Sequence, residues 1–229
     1  MEVLNDWLHK LHDAKGLEEL IRWGGYAILA AIVFAETGLL AGFFLPGDSL
    51  LFVAGFAVGS GALKPPNPLP DGPVAGYILL NLLLMTAAFI GNTTGYWVGR
   101  KAGPPLFNRP NSRLFKREHL ERTRAFYERH GAKTIILAEF VPFARTFAPV
   151  VAGISGLAYR SFMTYNAMGV VIWVFSMTTL GFTLGNLQWV KENIDKAVLL
   201  VILLSISPAV VHLVKARLRR KPVEAIEAE

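Results

Sequence analysis

The sequence contains no cysteine and has few charged residues for its length. Of 229 residues, 17% are Asp, Glu, Lys or Arg, whereas an ordinary soluble domain has roughly 25%. The absence of cysteine excludes disulfides, thiol catalysis and cysteine-ligated metal sites. The chain is also 53% hydrophobic. This composition excludes a disordered chain, a secreted disulfide scaffold and a soluble nucleic-acid-binding protein.

The charged residues that are present are unevenly distributed along the chain. Between Tyr26 and Gly99 only four side chains are ionised at neutral pH, and these are Glu36, Asp48, Lys64 and Asp71. A helix that crosses the roughly 30 Å hydrocarbon core of a bilayer needs about 20 residues with almost no charge. The sequence therefore predicts an integral membrane protein.

Apolar blocks alternate with polar segments, and prolines interrupt two of the blocks. The first block is interrupted at residues 46–47 and the third at Pro142 and Pro149, which favours re-entrant hairpins over plain spans. The first 22 residues lack the pattern of a signal peptide and place apolar residues on one helical face. We therefore predict an all-α polytopic membrane protein with a single domain, 1–229. Its segments are an interfacial amphipathic helix (1–22), re-entrant hairpin 1 (24–61), a transmembrane helix (74–99), a basic cytoplasmic segment (100–130), re-entrant hairpin 2 (132–158), transmembrane helices (161–187 and 197–215) and a cytoplasmic tail (216–229).

Orientation follows from the basic residues. Segment 100–130 holds nine Lys or Arg and three Glu, and basic segments are retained in the cytoplasm. The C-terminus is then expected in the cytoplasm as well. The side of the N-terminus stays open, because the first block could be a hairpin or a full span followed by a half-span.

Short motifs recur in the same order in the two halves of the chain. Two hairpin-plus-span units of opposite orientation would form an inverted repeat, an architecture typical of secondary transporters. Chance recurrence of Gly and Pro motifs in apolar sequence is the alternative. The matching pairs are 44–46 with 140–142, 53–55 with 151–153, and 93–99 with 178–185, offset by 96 to 98 residues in the hairpins and by 86 in the spans.

Four ionisable residues lie within the interrupted apolar blocks: Glu36, Asp48, Glu139 and Arg145. Each costs at least about 2.5–3.5 kcal/mol at the bilayer centre. Carboxylates in a polar cavity can exchange protons, and a guanidinium suits phosphate or carboxylate. We predict that Arg145 and Glu139 bind substrate and that Glu36 and Asp48 couple transport to protons. An inert ion pair between Arg145 and one of the acids is the alternative.

The predicted hairpin tips are Pro46, Gly47 and Pro142, because proline ends a helix and frees backbone groups that need a polar cavity. None of the five histidines falls inside a predicted hairpin, and we find no Ser-His-Asp set. We therefore expect no enzymatic activity, no cofactor and no metal site.

Several motifs together resemble one family of membrane proteins. The residues are 34–38 (FAETG), 44–51 (FLPGDSLL), 91–100 (GNTTGYWVGR), 140–149 (FVPFARTFAP) and 152–153. They resemble the DedA family of bacterial inner-membrane proteins, also described by the VTT or SNARE-associated domain. The resemblance covers the chain from about residue 20 to 215.

The resemblance implies paired re-entrant hairpins, a location in the bacterial inner membrane and a role in lipid translocation. Bacterial members are associated with undecaprenyl phosphate recycling, with phosphatidylethanolamine flipping and with proton-dependent phenotypes. By position, Glu36 and Asp48 are similar to the family's membrane-embedded acids, and Arg145 to its second-hairpin arginine. Related members often carry another arginine where Glu139 stands.

We therefore predict a lipid translocase driven by the proton motive force. Its expected partners are protons and either an anionic polyprenyl phosphate or a phospholipid, with no nucleic acid. A homo-oligomer is compatible with the sequence. The alternatives are a proton-coupled exporter or antiporter of small solutes and a non-transporting membrane scaffold.

Overall fold

The computed structural model describes residues 14–39, 47–67, 69–107, 132–201 and 203. Within these residues the chain is helical, with no β-strand. Pro46, part of the predicted first hairpin tip, lies outside the described residues. The helices are α1 (Ala14–Gly38), α2 (Gly47–Gly59), α3 (Pro73–Phe107), α4 (Thr134–Ala138), α5 (Pro142–Ser155), α6 (Tyr159–Leu184) and α7 (Gln188–Glu192).

Helix α1 includes parts of two segments that were predicted separately, the interfacial helix (1–22) and re-entrant hairpin 1 (24–61). It runs from Ala14 to Gly38 and bends at Gly25, whose φ of 53° lies in the left-handed region that glycine tolerates. Residues 1–13 of the predicted interfacial helix lie outside the described residues. From Ala14 onward, the polar segment leads directly into the apolar helix that carries Glu36.

Helices α3 and α6 are long and apolar enough to cross a membrane, judged by length and composition. The qualifying stretches are Pro73–Gly103, with 31 residues, and Tyr159–Leu184, with 26. Both helices leave large apolar side chains exposed, as expected where a surface meets lipid rather than water. The exposed set includes Ile78, Leu82, Ile90, Val98, Val171, Ile172 and Phe175.

Two shorter helices pack on these long ones. Helix α2 packs mainly on α6, and α5 packs mainly on α3. Every residue of α2 is buried, which fits a helix that is apolar on all sides beyond its first turn. Pro142 begins α5 as expected, but the predicted interruption at Pro149 is wrong. The helix continues to Ser155, since neighbouring helices allow a membrane-embedded helix to tolerate an internal proline.

Glycines allow the close approach of both helix pairs, since a side chain at these positions would collide with backbone. A Cβ would lie 2.2 Å from Thr178 O at Gly55, 2.0 Å from Phe52 O at Gly181, 2.0 Å from Tyr96 O at Gly153 and 2.0 Å from Val150 O at Gly99.

The remaining predicted segments are only partly described. Helix α3 extends to Phe107, so the first residues of the basic segment continue the transmembrane helix, while residues 108–131 lie outside the described residues. Residues 194–201 are helical, which covers the start of the predicted last transmembrane helix. The rest of that helix and the tail lie beyond the described residues.

Candidate functional site

The four ionisable residues singled out in the sequence meet inside the protein, at the N-terminal ends of α2 and α5. Their exposed fractions are 1% for Glu36, 6% for Asp48, 1% for Glu139 and 2% for Arg145. Each comes from a different place in the fold. Glu36 lies near the end of α1, Asp48 in the first turn of α2, Glu139 directly after α4, and Arg145 in the first turn of α5. The site therefore joins both halves of the chain.

Arg145 is the centre of the site. Its Nη1 donates to Asp48 Oδ1 at 2.8 Å, and its Nη2 donates to Glu36 Oε1. Nη1 also approaches the backbone carbonyl of Glu139 at 3.3 Å. The planar guanidinium thus connects three separate segments at once, which a lysine ammonium would do less well because it lacks the fork geometry.

Trp173 completes the surroundings of this guanidinium. The Trp173 indole Nε1 donates to Asp48 Oδ1 at 2.7 Å, and the Arg145 guanidinium carbon lies 4.1 Å from the Trp173 ring centroid. A buried tryptophan needs an acceptor for its N–H. Its mid-span position in α6 was therefore the available signal that a polar partner lies nearby.

Glu139 is held by neutral partners. Its carboxylate Oε1 accepts a hydrogen bond from Asn92 Nδ2 at 2.7 Å, and Asn92 Nδ2 also donates to Asn166 Oδ1 at 2.7 Å. Both asparagines are fully buried, one on α3 and one on α6. Sequence reasoning did not give either a role in the site. The available signal was an amide side chain in the middle of an apolar helix, where polar groups require partners.

Gly47 makes room for Glu36 at the N-terminal end of α2. A Cβ at Gly47 would lie 1.9 Å from Glu36 Oε2, so any larger residue would displace the carboxylate. Glu36 therefore lies against the end of a helix whose dipole favours negative charge. Pro142, the other described residue of the predicted tips, is the first residue of α5.

The site combines features that suit an anion. A guanidinium and the N-terminal ends of two helices come together, and all three attract negative charge. In this arrangement the carboxylates of Glu36 and Asp48 pair with the Nη2 and Nη1 atoms of Arg145. Within the part of the chain that the structure describes, no group of three His, Asp or Glu side chains is arranged to hold a metal ion.

Comparison with known proteins shows the family of the chain. The family model described as the VTT domain matches residues 45–183, and the chain is 43% identical over 208 residues to the protein DedA of Escherichia coli K12, covering 90% of each chain. The chain belongs to the DedA family of membrane proteins. It is also 40% identical over 190 residues to the uncharacterized membrane protein Rv0364 of Mycobacterium tuberculosis, covering 82% of this chain and 79% of the relative. The inner membrane protein YqjA of E. coli K12 is 35% identical over 168 residues, with 70% and 68% covered. No solved structure matches the chain.

Proposed function

We propose that this DedA-family protein transports a lipid with a phosphate headgroup across the bacterial inner membrane, coupled to protons. The observation that carries the proposal is the pairing of buried Arg145 with two carboxylates at the meeting point of two helix N-termini. Undecaprenyl phosphate and phospholipids share the phosphate chemistry that such a site would recognise. As a multi-pass protein with its basic segment in the cytoplasm, it would also have a cytoplasmic C-terminus.

The proposed mechanism is an exchange of anions on Arg145. A lipid phosphate would replace Glu36 and Asp48 on the guanidinium while the lipid tail remains in the bilayer. Protonation of Glu36 and Asp48 would weaken their hold on Arg145, because a neutral carboxylic acid is a poorer acceptor than a carboxylate. Loss of those protons would restore the ion pairs and expel the phosphate. Proton movement and lipid movement would be linked in this way.

The helix packing supports an inverted repeat, with re-entrant hairpins at α1–α2 and α4–α5, as the basis of alternating access. The glycine contacts of α5 with α3 repeat those of α2 with α6. Contact residues in α5 lie 98 positions after their counterparts in α2, and those in α6 lie 82 positions after their counterparts in α3. This pairs Gly181 with Gly99, one helical turn away from the pairing with Gly95 that the sequence motifs suggested.

A reconstituted transport assay tests the proposal. Purified protein in liposomes would receive undecaprenyl phosphate or labelled phosphatidylethanolamine in one leaflet, and its appearance in the other leaflet would be followed with an imposed pH gradient. Arg145→Ala should abolish the protein-dependent rate. Arg145→Lys should retain only part of it, because the ammonium cannot reproduce the fork.

Arg160→Gln is the matched control. Arg160 is exposed at the start of α6, so this substitution also removes one positive charge, but away from the site. Its transport rate should equal that of the wild type. Arg145→Ala moving lipid at the wild-type rate would refute the proposed role of Arg145. Proton-driven uptake of small solutes without lipid movement would favour an exporter, and correctly folded protein that moves neither would favour a scaffold.

A further inference from the structure

We propose that Glu139 is the residue on which the protein stores an exchangeable proton in the arrangement seen here, with Asn92 and Asn166 positioning its carboxyl group. The use of this proton in transport rests on the proposed function, whereas the proton-binding position itself does not. Sequence reasoning had assigned proton exchange to Glu36 and Asp48 and substrate contact to Glu139.

The three acids differ in their partners. Glu36 and Asp48 each accept a hydrogen bond from the Arg145 guanidinium. Glu139 does not form an ion pair with it, because Arg145 Nη1 reaches only the Glu139 backbone carbonyl. The Glu139 carboxyl group instead accepts from the neutral amide of Asn92.

The cluster carries more negative than positive groups. The charged groups that act on Glu139 are Arg145 on α5, Glu36 on α1 and Asp48 on α2. One cation therefore faces three acids. A buried carboxylate without a counter-charge is costly. Because Arg145 is already shared by two acids, a proton on Glu139 removes the least-compensated negative charge.

The surroundings of Glu139 accommodate a neutral carboxylic acid. Asn92 on α3 contacts Glu139 and is itself joined to Asn166 on α6 by a hydrogen bond of 2.7 Å, and neither amide carries a charge. Asn92 donates to Oε1 at 2.7 Å, leaving Oε2 as the oxygen for the proton. None of the described residues hydrogen-bonds to Oε2.

Close packing also fixes the Glu139 side chain in place. Gly169 on α6 lies directly beside it, and a Cβ there would be 2.9 Å from Glu139 Cγ. The carboxyl group is therefore confined between α3 and α6. Any larger residue at position 169 would therefore displace the Glu139 side chain from its place beside α6.

Infrared difference spectroscopy on the full chain in nanodiscs of phosphatidylethanolamine and phosphatidylglycerol tests this inference. The carbonyl band of a protonated carboxylic acid should be present at pH 7 in the wild type and lost in Glu139→Gln. It should persist in Glu36→Gln and Asp48→Asn. Asn92→Ala should shift the band, since the carbonyl oxygen loses its hydrogen-bond donor. This variant retains Glu139 and so provides a second test should Glu139→Gln fail to fold.

The outcomes separate this inference from the proposed function. Absence of the band at pH 7, or its loss in Glu36→Gln with persistence in Glu139→Gln, would overturn Glu139 as the proton-storing residue. In the liposome assay, Glu139→Gln should weaken the dependence of lipid movement on the pH gradient, since the proton-exchanging Glu36 and Asp48 remain, and an unchanged dependence would overturn the use of Glu139 in coupling. A wild type that shows the band but moves no lipid would refute the proposed transport and leave the proton position intact.

Discussion

Removing the guanidinium of Arg145 should destabilise the protein strongly, and neutralising its two acidic partners should restore much of the loss. Arg145→Ala leaves Glu36 and Asp48 buried without their cation. Removing one partner of a buried ion pair costs about 3–5 kcal/mol. For a protein of this size, about 1 kcal/mol corresponds to roughly 2–4 °C in Tm, so the expected decrease is about 6–20 °C.

The assay is thermal unfolding in one detergent, comparing wild type, Arg145→Ala, the double variant Glu36→Gln/Asp48→Asn and the triple variant that combines all three changes. The triple variant should recover at least half of the decrease in Tm, because no uncompensated carboxylate remains at these two positions. It should not recover lipid transport, because the guanidinium is still missing. This design separates the structural role of the ion pairs from the proposed role in binding phosphate.

A triple variant as unstable as Arg145→Ala would refute the electrostatic reasoning. The loss would then come from the cavity left by the arginine side chain, which large-to-small substitutions in a packed core also create. An Arg145→Ala variant with the same Tm as the wild type would refute the claim that the ion pairs stabilise the fold.

Two further predictions concern the packing around the site. Gly153→Ala should cost about 1–3 kcal/mol by overpacking, because its Cβ would meet a backbone oxygen of α3 at 2.0 Å, whereas Gly103→Ala, with its nearest contact at 3.3 Å, should be tolerated. Equal Tm values for these two variants would contradict the close approach of α3 and α5. Trp173→Phe should cost about 1.5–3 kcal/mol by losing a hydrogen bond to the charged Asp48, while the exposed Trp189→Phe should have little effect on Tm. A wild-type Tm for Trp173→Phe would count against that hydrogen bond.

The charged part of the site could be predicted from the sequence because charge is expensive in a membrane. Four ionisable residues near two proline-containing breaks had few alternatives to lying together. The structure brings all four to one place. It does not test their separate roles in binding and proton exchange, which stay predictions.

The neutral part of the site could not be predicted in the same way. Asn92, Asn166 and Trp173 lie in helices that are otherwise apolar, and an uncharged side chain there is explained equally well by ordinary packing. Their roles depend on which helix faces which, and hydropathy alone does not determine this. Only the three-dimensional arrangement shows that Asn92 reaches Glu139 and Trp173 reaches Asp48.

The relation between the two halves of the chain could also be predicted only in part from the sequence. Similar motifs indicated a repeat, but they matched Gly181 with Gly95, whereas the helix contacts relate Gly181 to Gly99. A shift of one helical turn preserves the glycine-bearing face, so motif similarity cannot distinguish the two registers. Pro149 was misread for a related reason, because a proline breaks an isolated helix more readily than one supported by neighbours.

The central claim is that Arg145 exchanges its carboxylate partners for a lipid phosphate. The most direct measurement is the position of that phosphate in an experimental structure of the protein in nanodiscs supplied with undecaprenyl phosphate or phosphatidylethanolamine. The account predicts phosphate density within hydrogen-bonding distance of the Arg145 guanidinium, with Glu36 moved away from it. Lipid density confined to the outer surface of α3 and α6, with Arg145 still paired to Glu36 and Asp48 throughout, would contradict it.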